Sequence, residues 1–154
     1  MTVSPPSSSA WFRYPIRVQP HHTDYGGVVW HGTYITWLES ARVECLRAVD
    51  MPLESLVKLG YDLPVIGLDM RYRQPLTLGM EAVVKTRLAP LKGIRLTWLY
   101  EIESVGPELQ VCVTGQVTLV TVNMRDRKVV RRLPDDIKAL FQRVSDSFGP
   151  SSIQ

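Results

Sequence analysis

The stretch that decides the fold is HHTDYGGVVWHGTYITWLESARVECLR, residues 21–47. Its first part is short and polar, with the carboxylate of Asp24 just before a pair of glycines, a composition typical of a tight loop. In its second part, apolar residues recur three and four positions apart. This spacing predicts an amphipathic helix of about four turns over residues 33–49.

The segments around this helix are rich in Val, Ile, Thr, Leu and aromatic residues, which predicts β-strands. Short turns containing glycine separate the later segments, so their strands are expected to pair antiparallel. We therefore predict an α+β fold in which an antiparallel sheet of about five strands wraps around one long helix. The predicted strands cover residues 11–20, 61–75, 81–90, 94–104 and 109–123, with a short helix or turn at 53–60 and a terminal helix at 134–144.

The chain of 154 residues fits one domain with enough core to fold alone. We assign this domain to residues 11–144. The Pro- and Ser-rich residues 1–10 are expected to form a disordered tail, and residues 145–154 a flexible one.

Composition limits the classes of function. The formal net charge of +3 is too small to indicate nucleic-acid binding, although it suits an anionic ligand. No apolar run reaches the ~20 residues that cross a bilayer, and the first residues do not resemble a signal peptide. Cys45 and Cys112 lie in apolar segments outside any CxxC pair, which predicts reduced core residues of a cytoplasmic protein. No metal-site or cofactor motif is present, so neither a metal nor a cofactor is expected.

The order of these elements resembles the hotdog fold, and the loop resembles a known signature. HTDYGGVVWHGTYITWLESARVECLR is similar to the motif of the 4-hydroxybenzoyl-CoA thioesterase family. The resemblance continues through RYRQPLTLGMEAVVKTRL and RRLPDDIKALF and so covers nearly the whole ordered chain. The chain departs from the family at His22, where the family usually has an aspartate. Within the family, the loop looks most like the cyanobacterial branch that hydrolyses 1,4-dihydroxy-2-naphthoyl-CoA on the way to phylloquinone.

The resemblance implies that Asp24 is the catalytic carboxylate of a thioesterase. It can act as a nucleophile that forms a mixed anhydride or as a general base for water, and the sequence leaves both open. The competing interpretation is a structural turn or helix cap formed by the same side chain. The backbone N–H groups of His31 and Gly32, at the start of the predicted helix, are expected to hold the thioester oxygen.

Four residues are expected to line the substrate pocket: His22, Gly27, Trp30 and Tyr34. Trp30 is the stronger aromatic candidate because it precedes the helix. Tyr34 shares the apolar stripe of the helix, so core packing explains it as well.

Cations are expected near the phosphates of CoA, and Arg71 and Arg73 are the candidates. Glu39 on the helix is a possible second carboxylate. A solvent-exposed pair with Arg42, three residues later, is the favoured interpretation of Glu39.

Three functions compete at this point. The first is hydrolysis of an aromatic acyl-CoA, with 1,4-dihydroxy-2-naphthoyl-CoA as the leading substrate. The second is hydrolysis of fatty acyl-CoA or acyl carrier protein, and the third is acyl-CoA binding without catalysis. No nucleic-acid or membrane partner is expected.

One subunit would present an exposed sheet edge and half a cleft, which predicts a homodimer and a dimer of dimers.

Overall fold

The structure is a computed structural model that describes residues 10–149. The tails predicted at the two ends lie outside these residues except for residue 10 and residues 145–149. No helix in the described part combines the length and apolar character needed to cross a membrane. The elements in chain order are β1 (Phe12–Arg17), a 3-10 turn (Pro20–His22), α1 (His31–Ala48), α2 (Leu53–Lys58), β2 (Tyr61–Asp62), β3 (Val65–Tyr72), β4 (Glu81–Leu88), β5 (Leu96–Ser104), β6 (Val111–Leu119), β7 (Val122–Asn123), β8 (Lys128–Val129) and α3 (Asp135–Phe148).

The predicted five-stranded antiparallel sheet is confirmed, with strand order β1-β4-β5-β6-β3. Strand β4 shows why one face of the sheet is buried, since every second residue from Ala82 to Leu88 is buried and the others are not. The long helix α1 packs on that face. Its inward side chains are Thr33, Tyr34, Trp37, Leu38, Ala41, Cys45 and Leu46.

Helix α3 covers a further part of the same face. Phe141 packs edge-on against Trp98 with ring centroids 6.1 Å apart, and Phe148 packs edge-on against Phe12 at 5.5 Å. The helix therefore continues to Phe148 rather than ending at residue 144. Our assignment of residues 145–148 to a flexible tail is wrong, because the contact with β1 keeps this turn helical.

Other boundaries also differ from the prediction. Helix α1 begins at His31, two residues earlier than expected. The strand predicted over residues 61–75 breaks at Pro64, which has no N–H to donate to a ladder. The short strands β2, β7 and β8 form a separate three-stranded sheet that the sequence analysis did not predict.

The opposite face of the main sheet carries a partly buried charge network. Lys85 Nζ lies 2.5 Å from Glu103 Oε1 and 3.2 Å from Glu101 Oε2. Arg13 approaches Glu103 at 3.9 Å, and the ring of Trp11 covers Lys85 at 5.0 Å. Glu103 is only 6% exposed, so these partners replace most of the contacts with water that its carboxylate would otherwise make.

Candidate active site

The loop that carries Asp24 is a closed, hydrogen-bonded turn. The Asp24 N–H donates to the Val28 carbonyl at 2.8 Å, and the Gly27 N–H donates to the Asp24 carbonyl at 3.1 Å. Gly27 has φ +80°, a left-handed conformation that favours glycine. The Val29 N–H donates to the carbonyl of buried Leu76 at 2.9 Å. These bonds fix the position of the Asp24 side chain relative to the core.

The carboxylate of Asp24 has one engaged oxygen and one free oxygen. Its Oδ1 accepts the Gly26 N–H at 2.8 Å, so the turn expected as the structural alternative is present. Its Oδ2 has no protein partner within residues 10–149. The side chain lines a cleft of about 370 Å³. One carboxylate can thus shape the loop and still present an oxygen to a ligand.

The start of α1 leaves backbone donors free. Trp30 occupies the N-cap position, and its side chain makes no capping bond. Among residues 10–149, the N–H groups of His31 and Gly32 have no acceptor. The His22 carbonyl instead holds this turn from the side, because it accepts the Trp30 N–H at 3.0 Å and the Thr33 hydroxyl at 2.9 Å. Free donors at the positive end of a helix suit a developing oxyanion.

Five of the predicted site residues meet in the Asp24 cleft: Asp24, Trp30, His31, Tyr34 and Arg73. They come from the loop, the helix start and the segment after β3. The remaining lining residues are Val28, Val29, Tyr72, Gln74 and Pro75.

The structure places the other predicted residues elsewhere. His22 and Gly32 line a neighbouring cleft of about 590 Å³ on the β1 side of the helix, and Trp30 forms a wall common to both clefts. Gly27 lines neither cleft and acts through the turn conformation. The expectation that His22 faces the same pocket as Asp24 is therefore not met.

His22 is committed to the loop itself. Its Nδ1 accepts the Gln19 N–H at 2.9 Å, and its ring packs edge-on against Trp37 at 5.0 Å. Burial lowers the pKa of His22 from its ordinary value, and the neighbouring His21 lowers it further. A neutral imidazole is what an accepting Nδ1 requires.

The two candidate arginines have different surroundings. Arg71 is paired with Asp69 at 3.0 Å on the exposed outer side of β3 and does not line the cleft. Arg73 does line the cleft, and its Nε donates to the Thr114 hydroxyl at 3.4 Å. Arg73 is thus the cation available to a ligand in the Asp24 cleft.

Tyr72 lines the cleft and was missed by the sequence analysis. Its ring lies 5.4 Å from that of Tyr34, and its hydroxyl donates to the His31 carbonyl at 3.0 Å. The available signal was the period of two along β3, which places Tyr72 on the same face as Met70 and Leu68.

The prediction that Glu39 pairs with Arg42 is wrong. Glu39 is exposed, and Arg42 turns inward to donate to the Tyr100 hydroxyl at 3.1 Å.

The core assignment of the cysteines is confirmed, since Cys45 and Cys112 are both free and buried. Burial raises the pKa of the Cys45 thiol to about 12.

Comparison with known proteins gives the family. Residues 18–141 match the family described as the Thioesterase-like superfamily. The chain is 52% identical to sll0410 of Synechocystis sp., a protein provisionally named as an esterase, over 80% of this chain and 74% of that protein. It is 30% identical to the acyl-CoA thioester hydrolase YbgC of Escherichia coli O157:H7, over 86% and 96% of the two chains.

Solved structures agree on the fold. The DHNA-CoA thioesterase of Staphylococcus aureus superposes with a TM-score of 0.79 at 25% identity, covering 89% of this chain and 92% of that one. Slr0204 of Synechocystis, a 1,4-dihydroxy-2-naphthoyl-CoA thioesterase, superposes with a TM-score of 0.77 at 21% identity, covering 86% and 96%.

The five-stranded antiparallel sheet around one long helix, together with these matches, defines a hotdog thioesterase. The chain belongs to the Thioesterase-like superfamily and is a thioester hydrolase. The fold and class predicted from the loop signature are confirmed.

Proposed function

We propose that this protein is an acyl-CoA thioesterase that acts on an aromatic acyl group. Its leading substrate is 1,4-dihydroxy-2-naphthoyl-CoA, which it converts to 1,4-dihydroxy-2-naphthoate and CoA for phylloquinone biosynthesis. The observation that carries the proposal is one cleft lined by Asp24, by His31, whose N–H has no acceptor among residues 10–149, and by the aromatic residues Trp30, Tyr34 and Tyr72.

The proposed chemistry uses the two ends of the thioester carbonyl differently. The oxygen accepts hydrogen bonds at the start of α1, which stabilise the negative charge that develops there. The free Oδ2 of Asp24 either attacks the carbonyl carbon or removes a proton from an attacking water. In both routes the C–S bond breaks, CoA leaves as the thiol after protonation, and water supplies the oxygen added to the acid.

The lining of the cleft supports an aromatic acyl group. Three aromatic side chains offer edge and face contacts to a planar ring. Arg73 lies beside them as the cation for the anionic part of CoA. The Staphylococcus aureus DHNA-CoA thioesterase, 25% identical, supports the naphthoyl group in particular.

One observation favours a second candidate, a thioesterase with a different or broader acyl preference. Synechocystis has a 1,4-dihydroxy-2-naphthoyl-CoA thioesterase of the same fold that is only 21% identical to this chain. Sll0410 of the same genus is 52% identical. Greater similarity to sll0410 than to Slr0204 favours an acyl group other than the naphthoyl group, and fatty acyl-CoA or acyl carrier protein is the alternative substrate that we propose. Binding without catalysis is the third candidate.

We also propose a homodimer formed along β3. This strand ends the five-stranded sheet, and its outer edge has no strand partner within residues 10–149. It exposes about half the surface of Val65, Ile66 and Leu68. Pairing two such edges would continue the sheet and bring a second subunit next to the end of β3, where Tyr72 and Arg73 line the cleft. We propose cytoplasmic localisation, with two such dimers forming the tetramer.

Steady-state hydrolysis of a thioester panel tests the proposal. The panel contains 1,4-dihydroxy-2-naphthoyl-CoA, benzoyl-CoA and palmitoyl-CoA, with kcat/KM measured for each. A preference of about 100-fold for the naphthoyl ester, or about 2.7 kcal/mol of transition-state binding, supports the leading substrate. A preference for palmitoyl-CoA supports the second candidate. Tight binding of all three without turnover would overturn the enzyme assignment.

Light scattering of the same preparation gives the oligomeric state, and a monomer would contradict the proposed pairing.

A further inference from the structure

The first turn of α1 is stabilised without using its own donors. Most helices satisfy their first N–H groups with a Ser, Thr, Asp or Asn side chain at the N-cap. Trp30 cannot do this, and an uncapped turn tends to fray. The N–H donors of the first turn can stay free and in place only if other groups of the turn are held. Hydrogen bonds between its carbonyl and hydroxyl groups and other parts of the fold therefore have to fix the turn.

Tyr72 provides one of these contacts from a different part of the fold. It is the last residue of β3, 41 positions along the chain from His31, and its hydroxyl donates to the His31 carbonyl at 3.0 Å. The Tyr72 ring packs against buried Tyr34, which stands one turn further along the same helix. Although Tyr72 is 51% exposed, both ends of its side chain are therefore held.

The bonded carbonyl belongs to the amide that joins His31 to Gly32. His31 lines the Asp24 cleft, and its own N–H has no acceptor among residues 10–149, whereas Gly32 lines the neighbouring cleft. The bond to the His31 carbonyl restrains rotation of this first helical residue, and hence the direction of the His31 N–H.

We propose that Tyr72 is a positioning residue for the oxyanion site, orienting the backbone N–H of His31 in the Asp24 cleft through the bond from its hydroxyl group to the His31 carbonyl. It acts through the peptide and takes no proton from the substrate. This inference rests on the proposed thioesterase function. It adds a dependence of catalysis on the end of an edge strand, distant in sequence from the catalytic loop.

The kinetic test is Tyr72→Phe, which removes one oxygen and keeps the ring against Tyr34. The expected result with benzoyl-CoA is a fall in kcat of about tenfold, the worth of one neutral hydrogen bond, with KM within about twofold of wild type. Tyr61→Phe is the matched control. Tyr61 is half-buried in β2, in the separate three-stranded sheet, and its hydroxyl has no partner among residues 10–149, so no change in kcat is expected.

A spectroscopic test separates positioning from simple destabilisation. Benzoyl-CoA labelled with ¹³C at the carbonyl is bound to Asp24→Asn, and to Asp24→Asn combined with Tyr72→Phe. Isotope-edited infrared spectra give the carbonyl stretch of the bound thioester. A misdirected His31 N–H in the second protein should move the stretch toward its frequency in free benzoyl-CoA, whereas a merely structural role of Tyr72 would leave it unchanged.

The outcomes are distinguishable. If wild type hydrolyses the thioester and Tyr72→Phe matches it in kcat, the inference is overturned and the proposed function stands. The inference is also overturned if Tyr72→Phe loses activity while the bound carbonyl stretch stays the same. If wild type hydrolyses no member of the panel, the proposed function fails and the inference fails with it.

Discussion

The indole ring of Trp30 lies directly against Gly32, in the space that a Cβ atom at position 32 would occupy. Trp30 is also the wall between the Asp24 cleft and the cleft on the β1 side of the helix. The absence of a side chain at position 32 therefore decides where this wall stands. The relationship links the glycine of the helix start to the shape of the proposed substrate pocket.

Gly32→Ala should displace the indole from the helix start. Because Trp30 is 52% exposed, the ring can swing outward, and we expect the melting temperature to change little. A misplaced pocket wall can cost about 10²-fold in kcat/KM, so activity should fall on that scale. Gly106→Ala is the control, since a Cβ there meets nothing within 4 Å. Wild-type kcat/KM in Gly32→Ala would show that Trp30 does not set the pocket.

His22 should make the stability of the fold depend on pH. Its pKa is lowered by burial and by His21, so the unfolded chain binds more protons than the folded one. The stability that His22 contributes to the fold is therefore fully present above the ordinary pKa of 6.5. It is lost as the pH falls through the lower pKa of the folded state. Urea unfolding between about pH 7.5 and 5 should show this loss in wild type and a flatter profile in His22→Gln. The same dependence of the unfolding free energy on pH in wild type and in His22→Gln would contradict a role of His22.

Lys85→Met should destabilise the fold by about 3 kcal/mol, because it leaves the buried Glu103 carboxylate without its nearest partner. Replacing both residues, with Lys85→Met and Glu103→Leu, should recover most of that loss, since no buried charge then remains unpaired. Chemical unfolding gives the free energy of unfolding of wild type, Lys85→Met and the double variant.

Arg71→Met is the matched control for this pair. It breaks the Arg71–Asp69 pair on the same sheet, whose side chains are 70% and 56% exposed. Water solvates such charges well, so the loss should stay below about 1 kcal/mol. Equal losses in Lys85→Met and Arg71→Met would mean that burial of Glu103 does not control the energy of the network.

The sheet and the long helix could be predicted because their burial is periodic. Alternation in β4 and the three-and-four spacing in α1 are local properties of the sequence. The ends of the elements depend on distant contacts instead. Helix α3 extends to Phe148 because Phe12 packs against it. Phe12 is far from residue 144 in the sequence, so the residues around 144 alone do not predict this contact.

The site divides in the same way. That Asp24 and His31 lie in one cleft could be predicted, because the loop and the helix start are adjacent in one stretch of sequence. The period of two along β3 places Tyr72 on one face with Met70, but its bond to the His31 carbonyl could not be predicted, since it depends on which strand forms the sheet edge beside α1. Arg71 and Arg73 look equivalent in sequence, yet only the structure shows Arg71 paired with Asp69 and Arg73 in the cleft.

We propose that the Asp24 carboxylate carries thioester hydrolysis, and the decisive measurement is kcat/KM of Asp24→Asn with benzoyl-CoA. Asp126→Asn is the matched control, because Asp126 Oδ1 accepts the N–H two residues later at 3.0 Å, as Asp24 Oδ1 does at 2.8 Å. We predict a loss of about 10³-fold for Asp24→Asn, with an unchanged melting temperature and full activity in Asp126→Asn. Near wild-type turnover by folded Asp24→Asn would show that this carboxylate does not carry the reaction.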